Sequence, residues 1–323
     1  GRVVGRIAAI ANPAHNEFHD DAVGFFGFFE CANDPEAAAA LIAAASRWLE
    51  VRGLTAMRGP VSPSTNYECG VLVDGFEHHP QVMTAWNPPY YDALLNAGGL
   101  SGVKDLLGYR IPLGDPGYAL PERYAALAAR AREGTSVRFR NVDLRHWDRE
   151  LAICWDVYNA AWEQNWGFVP MSREEFDHMG RDLKPVLQAQ WAFVAEVDGV
   201  PAGFMLALPD LNRIIKRIGT GRLFPTGIFR LLTGVSSLKS GRVIALGVKR
   251  EYRTAGLFAL FVNEIVVRAQ AFGAVGPEAS WILEDNALMN RPLLAIGAKP
   301  YRRWRLYEKP LAAGRAAAPV VAA

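Results

Sequence analysis

The chain has 323 residues, 50% hydrophobic and 21% charged, a length and composition that allow two buried cores rather than one. Its 35 basic and 33 acidic side chains leave a formal charge of +2, too small to point to nucleic acid. Cys31, Cys69 and Cys154 are odd in number and lack paired spacing. Neither a disulfide framework nor a zinc site is therefore expected, and a reducing, cytoplasmic setting is. No apolar run reaches the length of a membrane span. The histidines, His78 and His79 included, have no metal-ligand spacing, so no metal is expected. The chain opens at Gly1 in what reads as mid-domain strand, so a preceding N-terminal portion is expected.

Arg2 to Ile10 alternates and is rich in β-branched residues, which predicts a strand. Asn12 to Asp21 reads as a polar loop, and Val23 to Glu30 as a second strand. Asp34 as N-cap and Pro35 at the first helical position start a helix that runs to about Arg52 and stops at Gly53. Thr55 to Gly59 reads as a strand, Pro60 to Gly75 as irregular and Val82 to Ala85 as a strand. A short helix over Pro89 to Ala97 and a strand over Lys104 to Pro112 complete this part. Asp115-Pro116-Gly117 and the Ala/Arg-rich helix Pro121 to Arg132 read as a linker.

A strand at Val137 to Val142 and helices over Asp148 to Glu163 and Arg173 to Leu187 come next. Trp191 to Glu196 and Pro201 to Leu208 form a hairpin turned at Asp198-Gly199. Between Asp210 and Glu251 there is no acidic residue, while Arg213, Lys216, Arg217, Arg222 and Arg230 are interleaved with apolar side chains. Two readings of this insert stand. One is a segment lying on anionic lipid, a peripheral membrane contact through 211–242. The other is a pair of short helices packed on the N-terminal half with solvated cations.

Val243 to Val248 reads as a buried strand. A polar turn from Lys249 to Gly256 follows, then a helix with Leu257, Leu260, Phe261, Ile265, Val266 and Ala269 on one face. Strand, basic turn and helix make an anion site, because the first helical amides and the dipole both favour negative charge there. Ala279 to Leu283 is the next strand, followed by Glu284-Asp285-Asn286, a short helix to Gly297 and a last strand over Tyr301 to Lys309. The tail from Ala312 is Ala/Pro/Val-rich, which predicts disorder.

The stretch around Arg253 and Gly256, after a strand ending Leu246-Gly247-Val248, resembles the acyl-CoA diphosphate loop of the GNAT N-acyltransferase superfamily. That family's pattern is Arg/Gln-x-x-Gly-x-Gly/Ala. Arg253 and Gly256 match, whereas Phe258 stands where Gly or Ala is expected and Ala259 comes one place later. The element order over 136–310 is also that of a GNAT domain. The resemblance implies an α/β protein of two tandem GNAT-like folds, mixed central sheets flanked by helices, the first incomplete at its N-terminus. It divides the chain into a degenerate half at 1–115, a linker helix at 116–135, a catalytic domain at 136–310 and a disordered tail at 311–323. In the first half the turn Cys31-Ala32-Asn33-Asp34-Pro35 carries an acid where a diphosphate would sit, so CoA is not expected there.

The resemblance further implies acetyl-CoA or a longer acyl-CoA as the donor substrate and an amine as acceptor. Leu246, Gly247 and Val248 would serve pantetheine and thioester. Lys249, Arg250, Arg253, Thr254, Ala255, Gly256 and Leu257 would hold the phosphates, and Asn286 would contact the cofactor arm. The family's tyrosine acid aligns with Leu293, so Tyr301, Tyr307 or unassisted departure of the thiolate stand in its place; the other reading of either tyrosine is a strand aromatic in the core. Glu284 is a candidate base or a helix-start charge. Ser64 to Cys69, with Glu68, is either an acceptor pocket or a self-bonded turn, and Trp162, Glu163, Asn165 and Trp166 form a further acceptor group. The basic apolar insert points to a lipid-like amine. A non-catalytic acyl-CoA sensor and an aminoacyl-tRNA-dependent transferase are the competing readings.

Overall fold

The computed structural model describes residues 1–133, 136–219, 222–225, 227–253 and 255–312. In chain order the first elements are β1 (Gly5–Ala11), α1 (Pro13–His19), β2 (Val23–Cys31), α2 (Pro35–Glu50), β3 (Ala56–Gly59), β4 (Val61–Ser62), β5 (Glu68–Cys69), β6 (Val71–Asp74), α3 (Tyr91–Ala97), β7 (Ser101–Arg110) and α4 (Glu122–Glu133). They are followed by β8 (Val137–Asn141), α5 (Trp147–Trp162), α6 (Arg173–Leu183), β9 (Ala192–Val197), β10 (Val200–Pro209), α7 (Asn212–Ile218), α8 (Gly227–Gly234), β11 (Gly241–Val248), α9 (Ala255–Phe272), β12 (Glu278–Leu283), α10 (Ala287–Ala295) and β13 (Lys299–Pro310).

The chain divides into two compact units. The first holds residues 1–107, 166–170 and 302–323, and the second holds 108–165 and 171–301. This differs from the sequence boundaries at both ends. The last strand, from Arg302 on, belongs to the first unit. The helix read as a linker belongs to the second, where Tyr124 and Ala128 of α4 are buried and α4 packs on α9. The tail from residue 313 lies outside the described residues.

In the first unit β1 pairs antiparallel with β2, β2 parallel with β3, and β13 antiparallel with both β3 and β6. The core gathers Phe26, Ile42, Leu49, Met57, Leu95, Leu100 and, from the far end of the chain, Tyr307. Strand β13 is fastened there by chemistry as well as packing. The Trp304 indole donates to the Ala85 carbonyl at 2.8 Å, and Arg305 makes a two-pronged bond to Asp105 at 2.7 and 2.9 Å. Gly27 has to be glycine, because a Cβ at that position would fall 1.7 Å from the Val61 carbonyl oxygen of β4.

Three expectations are corrected in this unit. Asn12 to Asp21 is not a loop: Asn12 caps α1 by accepting from the His15 amide at 3.1 Å, and Pro13 sits at the helix start. Val82 to Ala85 is not a strand, since Met83 has φ +57° and Thr84 bonds back to the Gln81 carbonyl at 2.8 Å, which closes a turn. Pro60 to Gly75 is less irregular than its composition suggests, because it holds β4, β5 and β6.

His15 is buried beside Phe25, with Asp21 3.4 Å from its ring. Loss of hydration outweighs the pull of Asp21 and pushes the imidazole pKa down from 6.5 to about 4. A folded-state pKa below the unfolded one means stability that is complete above about pH 6.5 and is lost as pH falls toward 4. Denaturant titrations at pH 7 and pH 4.5 are expected to show a loss of about 2 kcal/mol from this group. A His15→Leu variant would flatten that dependence.

In the second unit β8, β9, β10 and β11 pair antiparallel in sequence, and β12 joins β11 in parallel. The β9–β10 turn is Asp198-Gly199, both with positive φ (51° and 78°), as the sequence signal requires. Phe193 and Phe261 stack at 5.8 Å in the core, and Phe139 meets both edge-on. Helix α6 stops at Leu183 rather than Leu187, because Pro185 has no N–H to carry the hydrogen-bond ladder further. In the insert, Ile214 of α7 lies against Gly234 and Ile218 against Gly227 of α8, so small residues let the two helices approach closely.

Candidate functional site

Strand β11 is paired on both sides only over its first residues. Toward β12 the ladder consists of Arg242 with Glu278 and Val243 with Ala279. Toward β10 the pairing continues to Gly203 opposite Val248, interrupted by a bulge in which Ile244 is the extra residue between Val243 and Ala245. Beyond Val243 the two parallel strands therefore part, and β11 alone carries the run Ile244 to Val248. Leu246, Gly247 and Val248 lie on that run, where the sequence reading places them. A Cβ on Gly247 would meet the Trp162 ring at 2.2 Å, so glycine is what lets α5 lay that indole on the strand. Tyr158 stacks on Trp162 with ring centroids 4.7 Å apart.

The turn after β11 is tight. The Lys249 amide donates to the Ala202 carbonyl of β10 at 2.8 Å, and a 3-10 turn covers Arg250–Tyr252. Arg253 bends back, its Nε donating to the Val248 carbonyl at 2.9 Å and its Nη2 to the Ala161 carbonyl at the end of α5. It thus fastens strand, turn and α5 together while its charge stays at the exposed start of α9. Lys249 forms an ion pair with Asp156 of α5 at 2.6 Å, so its positive charge is partly offset; Arg250 is exposed. Helix α9 opens at Ala255, one residue before Gly256, and buries Leu257, Leu260 and Phe261. Phe258 is half-buried. Thr254 and the Ala255 side chain lie outside what the structure describes.

The corresponding turn of the first unit is closed by its own carboxylate. Asp34 Oδ1 accepts from the amides of Glu36 at 3.0 Å and Ala37 at 3.1 Å, and Pro35 removes a further donor. The charge that an anion would bring is already present.

Where β11 and β12 begin to part lies a buried polar group that the sequence reading missed. Arg242 and Glu278, 3% and 1% exposed, stand 4.0 Å apart. Arg242 Nε donates to Ser280 Oγ at 2.8 Å, and Ser280 donates to Glu278. The Arg242 guanidinium also lies over the Trp281 ring at 4.7 Å. The Tyr301 hydroxyl donates to the other Glu278 oxygen. Tyr301, read as a candidate catalytic acid, thus has its hydroxyl bonded to a buried carboxylate. Tyr307 lies in the core. It is fully buried in the first unit, and burial with a bond to Asp92 drives its phenol far above the usual range. The missed signal was an acid, Glu278, heading the apolar run Ala279 to Leu283, with Arg242 at the matching place before Val243.

Strand β12 ends at Leu283, and Glu284 is exposed just beyond it. Asn286 caps α10, accepting from the Met289 amide at 3.2 Å, so its side-chain oxygen serves the helix. Asn290, which sequence reading did not single out, donates to the Leu283 and Glu284 carbonyls at 3.0 Å each and accepts from Tyr109. It holds the end of β12 to α10. Leu293 is buried.

Glu68 belongs to the first unit, exposed on the β4–β5 ladder opposite Ser62. Its neighbours are structural: Thr65 donates to the Gly167 carbonyl at 2.5 Å and Asn66 to the Val169 carbonyl at 3.1 Å. Trp166 lies under Arg58 in the same unit, whereas Trp162, Glu163 and Asn165 fall in the second. The acceptor group read from these residues is thus divided between the units. The structure brings Leu246 to Arg253, Gly256 and Leu257 into one strand–turn–helix.

Comparison with known proteins adds two kinds of finding. The chain is 35% identical over 315 residues to protein YghO of Escherichia coli K12, spanning 96% of this chain and 80% of that protein. It is 33% identical over 322 residues to the bacterial ceramide synthase of Caulobacter vibrioides, spanning 96% and 82%. Among solved structures, a GCN5-related N-acetyltransferase from Sphaerobacter thermophilus superposes with a TM-score of 0.51 at 14% identity, covering 95% of this chain and 78% of that one. A tandem GNAT protein of the clavulanic acid pathway gives a TM-score of 0.50 at 15% identity, covering 96% and 80%. No family model matches the chain.

Proposed function

This chain has the GNAT fold and belongs to the family that holds the Caulobacter ceramide synthase and YghO, and on that premise we propose that its second unit transfers an acyl group from a CoA thioester to the amine of a long-chain, lipid-like base. The observation that carries this reading is the parting of β11 from β12 beyond Val243, immediately ahead of the basic turn and α9. A strand edge of that kind offers backbone groups to an extended pantetheine arm, and the helix start favours a diphosphate. The amide bond that a ceramide synthase forms, in the relative so named, supplies the acceptor class.

In the reaction the amine nitrogen bonds to the thioester carbonyl carbon and the carbon–sulfur bond breaks. A free alkylamine has a pKa of ~10, so it must lose a proton before it attacks. We assign that proton to Glu284, the exposed carboxylate where β12 ends. The departing thiolate, whose conjugate acid has a pKa of ~8.5, takes its proton from solvent. The Val248 amide is assigned to the oxyanion, and Arg250, Arg253 and the start of α9 to the phosphates.

The test is mass spectrometry of purified protein incubated with palmitoyl-CoA or acetyl-CoA and a long-chain base, with thiol release followed in parallel. An N-acylated base with stoichiometric CoA is the expected product. Acylation confined to short polar amines would remove the lipid-like acceptor. Saturable acyl-CoA binding without thiol release from any amine would select a non-catalytic binding module. Glu284→Gln is expected to lower kcat by about a hundredfold at pH 7, with the deficit narrowing toward pH 10 as the amine deprotonates unaided.

A further inference from the structure

Within the second unit the insert between β10 and β11 exposes side chains that a water-soluble surface does not need. Phe224 is 72% exposed, Phe229 68% and Leu232 58%. The apolar residues that hold the insert together are others: Ile214 and Ile218 of α7 meet Gly234 and Gly227 of α8. Phe229 and Leu232, three positions apart, share a different face of α8, with Phe224 in the turn just before it. Lys216, Arg217 and Arg230 are exposed in the same insert, Arg230 donating to the Arg217 carbonyl at 3.0 Å, and the sequence has no acidic residue between Asp210 and Glu251. Asp210 itself is buried and paired with Arg213.

We infer that this surface docks the protein onto an anionic lipid bilayer, with Phe224, Phe229 and Leu232 entering the interfacial layer and Lys216, Arg217 and Arg230 resting on the headgroup phosphates. The charge pattern selects lipid over a second copy of the chain, because two copies of this face would bring like charges together around their apolar centres. It selects anionic over neutral bilayers, because each cation close to such a surface adds to the attraction while the aromatic rings supply insertion. The inference stands apart from the reaction assigned above, since docking is read with no acyl donor or amine present.

The experiment is co-sedimentation of the purified full chain with vesicles of phosphatidylcholine alone and of phosphatidylcholine with phosphatidylglycerol. It compares wild type, Phe224→Asp/Phe229→Asp/Leu232→Asp and Lys216→Gln/Arg217→Gln/Arg230→Gln. Wild type is expected to bind the anionic vesicles and release at high salt. The glutamine variant is expected to need about a hundredfold more lipid for half-binding, and the aspartate variant at least about tenfold more. All six positions are exposed, and circular dichroism of each variant checks that the fold is kept. No binding of wild type, equal binding of all three proteins, or equal binding to both vesicle types overturns the inference. So does a concentration-dependent dimer in light scattering that the aspartate variant abolishes, which would give this face to a second copy.

Discussion

Arg242→Met is expected to destabilise the protein by about 3–5 kcal/mol, a loss of the order of ten degrees or more in melting temperature. The substitution keeps the bulk of the side chain but leaves the Glu278 carboxylate, 1% exposed, facing Ser280 and the Tyr301 hydroxyl without its cation. An uncompensated buried charge is costlier than a missing hydrogen bond. The control is the double variant Arg242→Met/Glu278→Gln, which removes the orphaned charge and is expected to regain more than half of the lost stability. Thermal and denaturant unfolding of wild type, single and double variants measure this directly. If the single and double variants unfold alike, the pair contributes no electrostatic stabilisation and packing alone accounts for the loss. The position of the pair gives the result wider meaning, because Arg242 and Val243 are the last β11 residues held by β12 before the strands part.

Under the proposed function, Gly256→Asp is expected to weaken acyl-CoA binding about a hundredfold, while leaving the protein as stable as before or slightly more so. The carboxylate would stand in the first turn of α9, where the helix dipole favours it by a few tenths of a kcal/mol. There it would repel a diphosphate and compete for the same amides. The first unit shows the same geometry: Asp34 takes the amides of Glu36 and Ala37 at its helix start. Isothermal calorimetry with palmitoyl-CoA and a thermal melt of the same sample separate the two effects. Unchanged affinity would remove α9 from the donor site. Lower affinity accompanied by a large drop in melting temperature would mean that the substitution damages the fold rather than the site.

Several local signals are legible because the residues that decide the structure are neighbours in sequence. The Asp34-Pro35 helix start, the Asp198-Gly199 hairpin and the succession of β11, basic turn and α9 all depend on contacts within a few residues. The same rule exposes an omission, because Asn12-Pro13 carries the same kind of start signal as Asp34-Pro35 and α1 follows it. Its seven residues contain too few apolar positions to show a periodicity. Val82 to Ala85 failed in the opposite direction. Its β-prone residues are overridden by the left-handed Met83 and by the Thr84 hydroxyl, which offers the backbone a turn instead.

The sequence by itself determined that this is an α/β protein of tandem GNAT fold, with a basic, glycine-containing helix start in its second half and a self-capped one in its first. Backbone propensity, capping chemistry and one glycine are short-range properties, and they act before any long-range contact forms. Only the tertiary structure decided where β11 and β12 part, that Arg242 and Glu278 meet at that point, and that the Tyr301 hydroxyl bonds to Glu278. It also decided that β13 completes the first unit rather than the second, through Tyr307, Trp304 and Arg305. Those outcomes depend on strand register between distant segments, and a register shifted by one residue reverses every side chain. Nothing in the order of residues along a single strand states which partner residue it will face.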